Sequence, residues 1–325
     1  MGYTNTGLNT ARKNKKDEFY TTYADIHAEM ILHPDQFRGK AVYCNCDDWE
    51  KSNFCKYFQE HFEELGLKAL YATCYNGKEE VYSSSLWEWD DEPEENREAK
   101  YFIMTAPDDI EIGTLKGNGD FASEECLEFL KKSDIVATNP PFSLLRKFLV
   151  MCLENNKEFL VLGNLNALKT KDFVQYIVAH RMWWGGSIHS GDREFEVPDD
   201  YPLEACMTRV DETGRKFIRV KGVRWYTNMP YEGMYKPLPL TENYSAEKYP
   251  KFDDYDAINV GSTAEIPKDY YEKMGVPITF FDKYDPEQFI LYGIDAWLPD
   301  NPHPGRGFTI NGEPTYARFI IQRKK

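Results

Sequence analysis

Short apolar runs alternate with longer amphipathic stretches over the first 180 residues. The apolar runs predict buried strands at residues 40–46, 68–75, 100–106, 134–139 and 158–164. Apolar side chains at helical spacing predict helices at residues 49–65, 121–132, 143–155 and 170–180. Because strands that alternate with helices pair in parallel, the pattern predicts a doubly wound, mostly parallel α/β sheet.

The pattern changes after Arg181. The segments "REFEVP", "EACMTRV" and "RKFIRVKGVRWYTNM" predict antiparallel strands that extend the sheet at its edge. After Pro230, prolines and tyrosines are frequent and helical patterns are few. We therefore predict a flexible basic arm at residues 1–16, one large domain at 17–230 and a C-terminal region at 231–325.

The net charge of −15 would by itself argue against a polyanionic partner, but the charge is unevenly distributed. Nine acids against one base between Glu79 and Glu98 carry −8, which leaves −7 for the rest of the chain. Basic clusters occur in the arm and between Arg215 and Arg224. Because the local potential of a surface steers a polyanion, the charge neither proves nor excludes a nucleic-acid partner.

Other protein classes receive little support. No run approaches eighteen apolar residues and no apolar signal segment opens the chain, so we predict a cytoplasmic protein without a membrane partner. The seven cysteines are odd in number and scattered, which indicates reduced thiols. Cys44 and Cys46 lack further ligands at zinc spacing, so no metal is predicted.

The most informative motif is Asn139-Pro140-Pro141-Phe142, directly after the strand "DIVAT" and before a helix. Ligands of open α/β sheets collect at the carboxyl ends of the strands. The side-chain carbonyl of Asn139 and the backbone carbonyl of Pro140 would together accept both hydrogens of an –NH2 group. Phe142 would stack on the ring that carries this amine. The alternative is a proline-rich strand end with a core phenylalanine.

These groups suit methylation of an aromatic amine. Such an amine is a poor nucleophile because its lone pair is delocalised into the ring. When the two carbonyls accept both hydrogens of the amine, the nitrogen is drawn toward a tetrahedral geometry and regains its lone pair. No strong base is then needed, provided that the electrophile is potent. The sulfonium methyl of S-adenosylmethionine is such an electrophile, and in-line positioning removes much of the barrier.

Three further stretches supply a candidate cofactor pocket. Asn45, Asp47 and Asp48 follow the first strand, and Asp120 with Phe121 lies in "GNGDF". The segment "DEFYT" at residues 17–21 precedes the first strand and would fold back over the cofactor. The alternatives are a polar turn, a helix cap at Asp120 and a simple helix start.

Six segments in order resemble the EcoRI-type adenine-specific DNA methyltransferases: "DEFYT", "VYCNCDDWEKSNFCKYF", "GNGDF", "DIVATNPPF", "GVRWYTNM" and "MGVPITFFDKYDPEQF". The similarity runs from about Asp17 to Phe319. The resemblance implies a Rossmann-like, S-adenosylmethionine-dependent fold with a C-terminal target-recognition region. It implies methyl transfer to the exocyclic amine of a flipped-out adenine in duplex DNA, for a restriction-modification system or as an orphan methylase.

The resemblance also implies roles for individual residues. Asn139, Pro140 and Phe142 would hold and stack the adenine. The residues that would contact the cofactor are Tyr20, Thr21, Asn45, Asp47, Asp120 and Phe121. Trp225 and Tyr226 would flank the base pocket, with buried packing as the alternative. The sequence departs from broader methyltransferase patterns, because it lacks a glycine-rich turn after the first strand and an acid at the end of the second.

Double-stranded DNA is the predicted partner, and no obligatory protein partner is expected. The basic residues that would contact phosphates are Arg12, Lys13, Lys15, Lys16, Arg219, Lys221 and Arg224. A solvated basic surface is the alternative for each. Two other functions remain open, namely a ribosomal RNA guanine-amine methyltransferase and a DNA-binding protein with a retired methyltransferase site.

Overall fold

The computed structural model describes residues 21–75, 99–197 and 208–325. Five α-helices form in these ranges: α1 (Tyr23–Met30), α2 (Asn53–Glu60), α3 (Glu124–Lys132), α4 (Leu145–Glu154) and α5 (Lys171–Val178). Four 3-10 helices span Leu165–Lys169, Thr263–Glu265, Ile278–Lys283 and Asp295–Trp297. In the described part of the chain, no helix combines the length and the apolar character needed to cross a membrane.

The same ranges contain seventeen strands. The first eight are β1 (Ala41–Cys44), β2 (Ala69–Thr73), β3 (Lys100–Ala106), β4 (Asp109–Thr114), β5 (Ile135–Thr138), β6 (Glu158–Asn164), β7 (Trp183–Trp184) and β8 (Asp192–Val197). The others are β9 (Thr208–Val210), β10 (Lys216–Lys221), β11 (Val223–Thr227), β12 (Ile258–Asn259), β13 (Lys273–Pro277), β14 (Phe289–Ile294), β15 (Thr309–Ile310), β16 (Glu313–Pro314) and β17 (Arg318–Arg323).

The chain divides into two compact units, and neither is continuous in sequence. The first unit comprises residues 1–162 and 192–221, and the second comprises residues 163–191 and 222–325. The predicted boundary near residue 230 therefore falls inside the second unit.

A mixed sheet forms the centre of the first unit, with the strand order β4-β3-β2-β1-β5-β6. Strand β1 runs parallel to β2 and to β5, and β5 runs parallel to β6. Strands β3 and β4 continue the sheet in antiparallel fashion. The protein is thus a mixed α/β protein whose large sheet contains parallel strands, as the alternation of strands and helices predicted.

The parallel pairing of β1 and β5 brings together the loops that follow these two strands. All residues of β1 and β5 are buried, and the register pairs Val42 with Ile135 and Tyr43 with Val136. Because the two strands are parallel neighbours, their carboxyl ends lie side by side. Helix α2 follows β1 and helix α4 follows the loop after β5, and a side-chain cap from Ser52 fixes the start of α2.

Strands β8, β9 and β10 differ from the prediction. Instead of extending the edge of the large sheet, they form a separate antiparallel sheet with the order β8-β10-β9. Ile218 and Val220 of β10 are buried while Arg219 and Lys221 between and after them are exposed. This alternation buries one face of the small sheet and leaves the other in solvent.

The second unit contains the last two residues of β6, Gly163 and Asn164, and the antiparallel strands β11 and β7. A four-stranded sheet has the order β12-β13-β17-β14, and β15 pairs with β16. One apolar cluster of this unit contains Phe252, Phe308 and Ile320.

Candidate active site

The Asn-Pro-Pro-Phe segment forms a corner at the carboxyl end of β5. Pro140 is buried, whereas Asn139, Pro141 and Phe142 are partly exposed. The backbone N–H of Leu144 donates to the carbonyl of Pro141 at 2.8 Å, and α4 begins at the next residue. Proline has a fixed φ and no N–H, so the two prolines restrict this corner strongly. The corner therefore lies where an open α/β sheet binds its ligands.

Asp47 joins this corner to the turn after β1. Its Oδ1 accepts from the Ser52 hydroxyl at 2.5 Å, and its Oδ2 accepts from the Thr138 hydroxyl. The backbone N–H of Asn139 lowers the pKa of the same carboxyl. Burial raises the pKa of Asp47 to about 6, while the Ser52, Thr138 and Asn139 donors act in the opposite direction. A buried, hydrogen-bonded carboxylate thus holds two strand ends together.

The end of β2 joins the same region through buried polar groups. The hydroxyls of Tyr43 and Thr73 are 2.7 Å apart, and Thr73 Oγ1 lies 3.4 Å from Asn45 Oδ1. Asn45 itself is fully buried, so its side chain lies beneath the surface of the site.

The "GNGDF" loop approaches the end of β2 closely. Gly119 has a φ of +76°, and a Cβ atom there would lie 2.2 Å from the carbonyl oxygen of Cys74. Only glycine fits such a position. The next residue, Asp120, is half-buried and accepts from the N–H of Ala122 at 2.7 Å through one carboxylate oxygen. The loop therefore presents Asp120 at the carboxyl edge of the sheet.

Phe121 connects this loop to the helix behind the corner. Its buried ring meets Phe148 of α4 edge to face at 5.2 Å, and the ammonium of Lys147 lies 5.6 Å from the ring centre. These contacts support Phe121 as a packing residue of the loop. A cofactor-stacking role for it stays a prediction.

Thr21 also reaches this edge. Its carbonyl accepts from the Asn53 side chain at 2.8 Å, at the start of α2. Tyr20 lies outside the described residues. Asp48 is part-exposed, accepts from the N–H of Glu50 at 3.0 Å and lies 3.5 Å from Lys51.

Two buried polar atoms near this edge have hydrogen-bonding capacity that a polar ligand could satisfy. Within the described ranges, Thr21 Oγ1 and Asn45 Nδ2 are buried and make no hydrogen bond. A buried polar group without a partner costs about 1–3 kcal/mol. An amino-acid moiety with its ammonium and carboxylate would supply an acceptor and donors, so these residues fit the methionine end of S-adenosylmethionine.

Phe142 lies against the small antiparallel sheet. Its ring meets the buried ring of Phe195 in β8 edge to face, with centroids 6.3 Å apart. Phe142 is partly exposed, as a ring that stacks on a substrate must be.

Trp225 and Tyr226 belong to the interior of the second unit. Both are fully buried in β11, and the hydroxyl of Tyr226 donates to the carbonyl of Asn164 at 2.8 Å. Burial raises the pKa of Tyr226. This environment fits the packing alternative, and the predicted place beside a base pocket gains no support from it.

The predicted phosphate contacts have different surroundings. Arg224 is only 3% exposed and forms an ion pair with Asp282 at 3.1 Å in the second unit, so a phosphate would have to displace this partner. Arg219 and Lys221 are exposed on β10, although Glu194 lies 4.0 Å from Arg219. The basic residues of the arm, Arg12, Lys13, Lys15 and Lys16, lie outside the described residues.

Sequence reasoning missed Ser52, Thr138 and Thr73. Each is a small polar residue at a strand end or helix cap, a position that often has only a local role. The available signal was the hydroxyl of Thr138 directly before Asn139, in a strand whose other side chains are apolar. In the part of the chain that the structure describes, no three His, Cys, Asp or Glu side chains cluster as metal ligands.

Comparisons with known proteins agree with this site. The family model described as adenine-specific methyltransferase EcoRI matches residues 7–324. The Type II methyltransferase M.EcoRI of Escherichia coli is 41% identical over 99% of this chain and 98% of its own length. M.MpnI of Mycoplasma pneumoniae is 35% identical and M.MgeORF184P of Mycoplasma genitalium 34%, each over 98% of this chain.

No solved structure matches the chain. The family match and the relatives nevertheless cover nearly all of it, including the corner, the turn after β1 and the "GNGDF" loop. The chain therefore belongs to the EcoRI family of adenine-specific methyltransferases.

Proposed function

We propose that this protein methylates the exocyclic amine of a flipped-out adenine at a specific site in duplex DNA, with S-adenosylmethionine as methyl donor. The observation that carries the proposal is the Asn139-Pro140-Pro141-Phe142 corner at the carboxyl end of β5, beside the end of β1, in a member of an adenine-specific family. The relatives carry the name Type II methyltransferase, which favours a restriction-modification context.

Asn139 and Pro140 would orient the amine. The side-chain carbonyl of Asn139 and the backbone carbonyl of Pro140 accept its two hydrogens, and the nitrogen lone pair then points away from the ring. Phe142 stacks on the base, worth about 1–3 kcal/mol, which helps to offset the few kcal/mol needed to extrude it from the duplex. The amine loses its proton after methylation, so the corner needs no strong base.

The cofactor supplies an electrophilic methyl group when bound. We assign its methionine end to the region of Thr21, Tyr20 and Asp48, and its adenosine end to Asp120 and Phe121. The half-buried carboxylate of Asp120 suits an amine or a hydroxyl donor. Together these elements would form a Rossmann-like methyltransferase pocket without a glycine-rich turn after β1.

Other regions would handle the DNA. We propose that the basic arm at residues 1–16 and the exposed Arg219 and Lys221 contact phosphates, and that residues 231–325 include the target-recognition region. Phosphate contacts position the protein on the duplex, while base contacts in the grooves give sequence specificity.

Asn139→Ala tests the proposal with a matched control. Loss of one preorganised acceptor typically costs 10²- to 10³-fold in rate, so we expect methylation to fall by about that factor while DNA binding stays within about twofold. Asn155→Ala is the control, because Asn155 follows α4 at its far end and its side-chain amide donates to the Met151 carbonyl of the same helix at 2.8 Å. It should keep full activity.

The assay follows labelled methyl from S-adenosylmethionine into duplex DNA and into ribosomal RNA, with sequencing to identify methylated adenines. Label in ribosomal RNA alone would support the guanine-amine alternative. DNA binding without any methyl transfer or cofactor binding would support a retired site. Unchanged turnover in Asn139→Ala would contradict the role of Asn139.

A further inference from the structure

Asp47 is the most buried carboxylate at the carboxyl edge of the first unit's sheet, only 8% exposed. Each of its two oxygens accepts a hydroxyl hydrogen, from Ser52 and from Thr138. Both hydroxyls also accept in turn, since Ser52 Oγ accepts from the N–H of Phe54 at 3.1 Å and Thr138 Oγ1 accepts from the N–H of Cys46 at 3.2 Å. The hydroxyls are thereby fixed as donors toward Asp47.

The backbone of the corner offers few other points of attachment. Residues 139–141 contain a single backbone N–H group, on Asn139, because the next two residues are prolines. That N–H lowers the pKa of Asp47, and the residue before it, Thr138, donates its hydroxyl to Oδ2 of the same carboxylate. The position of the Asn139 main chain, and of the carboxamide attached to it, is therefore coupled to this carboxylate.

We propose that Asp47, held by Ser52 and Thr138, is a positioning residue that sets the orientation of Asn139 for methyl transfer, and that it acts in its ionised form. The inference rests on the proposed function and assigns Asp47 a role different from the cofactor contact that the sequence suggested. A carboxylate whose oxygens are both engaged and which is nearly excluded from solvent is poorly placed to bind a cofactor.

Ionisation matters because the described groups that hydrogen-bond Asp47 are all donors. A proton on one carboxyl oxygen must be donated to a neighbour, so the hydroxyl that faces this oxygen has to turn its own hydrogen away and accept instead. Protonation therefore reverses one of the hydrogen bonds to Ser52 or Thr138 and changes the geometry next to Asn139. The other titratable groups nearby are Asp48, which disfavours the ionised form, and the buried thiols of Cys44 and Cys55.

The first experiment measures single-turnover methylation of duplex DNA from pH 5 to 8.5. We expect the wild-type rate to decline on the acid side with a midpoint near the Asp47 pKa of about 6. Thr138→Val removes one donor to the carboxylate, so the midpoint should move to higher pH and the plateau rate should fall about tenfold or more. Thr138→Ser keeps the hydroxyl and should restore both.

The second experiment separates positioning from cofactor binding. In Asp47→Asn we expect the rate to fall at least tenfold, the acid midpoint to disappear and the Kd of S-adenosylhomocysteine to stay within about threefold. Thr170→Val is the control, because its hydroxyl also makes one hydrogen bond, to the Ala167 carbonyl at 2.9 Å, in the second unit. It should leave rate and midpoint unchanged.

Two results would overturn the inference. One is a loss of cofactor affinity in Asp47→Asn that matches the loss of rate, which would make Asp47 a cofactor ligand. The other is an acid midpoint that is the same in wild type and Thr138→Val, which would make the network purely structural. If the wild type methylates no DNA at all, the proposed function fails. Nuclear magnetic resonance titration of the Asp47 carboxyl in wild type and Thr138→Val then still tests whether Thr138 controls the ionisation of Asp47.

Discussion

Gly119→Ala is the substitution whose cost the structure defines best. The residue lies in the "GNGDF" loop with a φ of +76°, and a Cβ would be 2.2 Å from the Cys74 carbonyl oxygen and 3.3 Å from the Ala99 Cβ. The first obstacle is backbone, which cannot rotate away as a flexible side chain can. The loop and the end of β2 would therefore have to separate by about 1 Å to reach ordinary contact distance.

Gly39→Ala provides a reference for the backbone term alone. Gly39 has a φ of +73°, and nothing lies within 4 Å of the position of its Cβ. A left-handed conformation destabilises the folded state of an alanine variant by about 1–2 kcal/mol. Alanine also reduces the conformational entropy of the unfolded chain, which stabilises the protein by about 0.4–1 kcal/mol. We expect a net loss of about 1 kcal/mol for Gly39→Ala. For Gly119→Ala, overpacking adds about 1–3 kcal/mol, which gives a total of about 2–4 kcal/mol.

Thermal unfolding of both variants in parallel gives the comparison. A loss of 1 kcal/mol lowers Tm by about 2–4 °C in chains of 150–250 residues and by less in longer chains. We therefore expect the Tm of Gly119→Ala to lie a few degrees below that of Gly39→Ala. Because Gly119 supports the loop that carries Asp120, Gly119→Ala should also weaken binding of S-adenosylhomocysteine, whereas Gly39→Ala should not. Equal Tm values for the two variants would refute the steric argument.

Two further predictions concern buried charges. Arg224→Ala should destabilise the protein by about 3–5 kcal/mol, because it removes the arginine from the buried Asp282 and leaves only the His189 imidazole, at 3.5 Å, among its described ion-pair partners. The exposed Arg219→Ala should cost under about 0.5 kcal/mol, and equal urea midpoints for the two variants would contradict this. The second prediction concerns Asp47, because burial raises its pKa from 3.8 to about 6. Between these two pH values the folded state binds more protons than the unfolded state. The contribution of Asp47 to the free energy of unfolding therefore falls as pH rises, by about 3 kcal/mol in all. The difference in unfolding free energy between wild type and Asp47→Asn, followed from pH 4 to 7, should show this slope, and a flat difference would argue against it.

The parallel part of the sheet followed from sequence because each strand is a short apolar run between helices. Strand β6 begins and ends at the predicted residues, and β5 differs by one residue at each end. Strand β3 also has the predicted bounds, but it pairs with β2 in antiparallel rather than parallel fashion. Strand β4 was not predicted, since Ile110 and Ile112 are exposed and the segment has no buried face to reveal it.

The site could be predicted only as separate stretches. The corner and the turn after β1 are recognisable in sequence, but the bond from Thr138 to Asp47 joins residues 91 positions apart and depends on the register of two parallel strands. Arg224 shows that the exposure of a basic residue could not be predicted from its position in a basic segment. It belongs to the same basic segment as Arg219, yet Gly222 separates β10 from β11, and on the second strand the arginine is buried. Charge in sequence therefore did not indicate exposure.

The discontinuous units have a consequence for how this protein is made. Residues 192–221, which contribute three strands to the first unit, are synthesised only after residues 163–191 of the second. At about 5–20 residues per second, a ribosome needs roughly 3–12 seconds to pass from residue 162 to residue 221. For the first half of that interval the nascent first unit lacks the β8 residue Phe195 that contacts Phe142, and until its end the unit lacks β10. Neither half of the gene cut at residue 162 therefore encodes a self-sufficient folding unit.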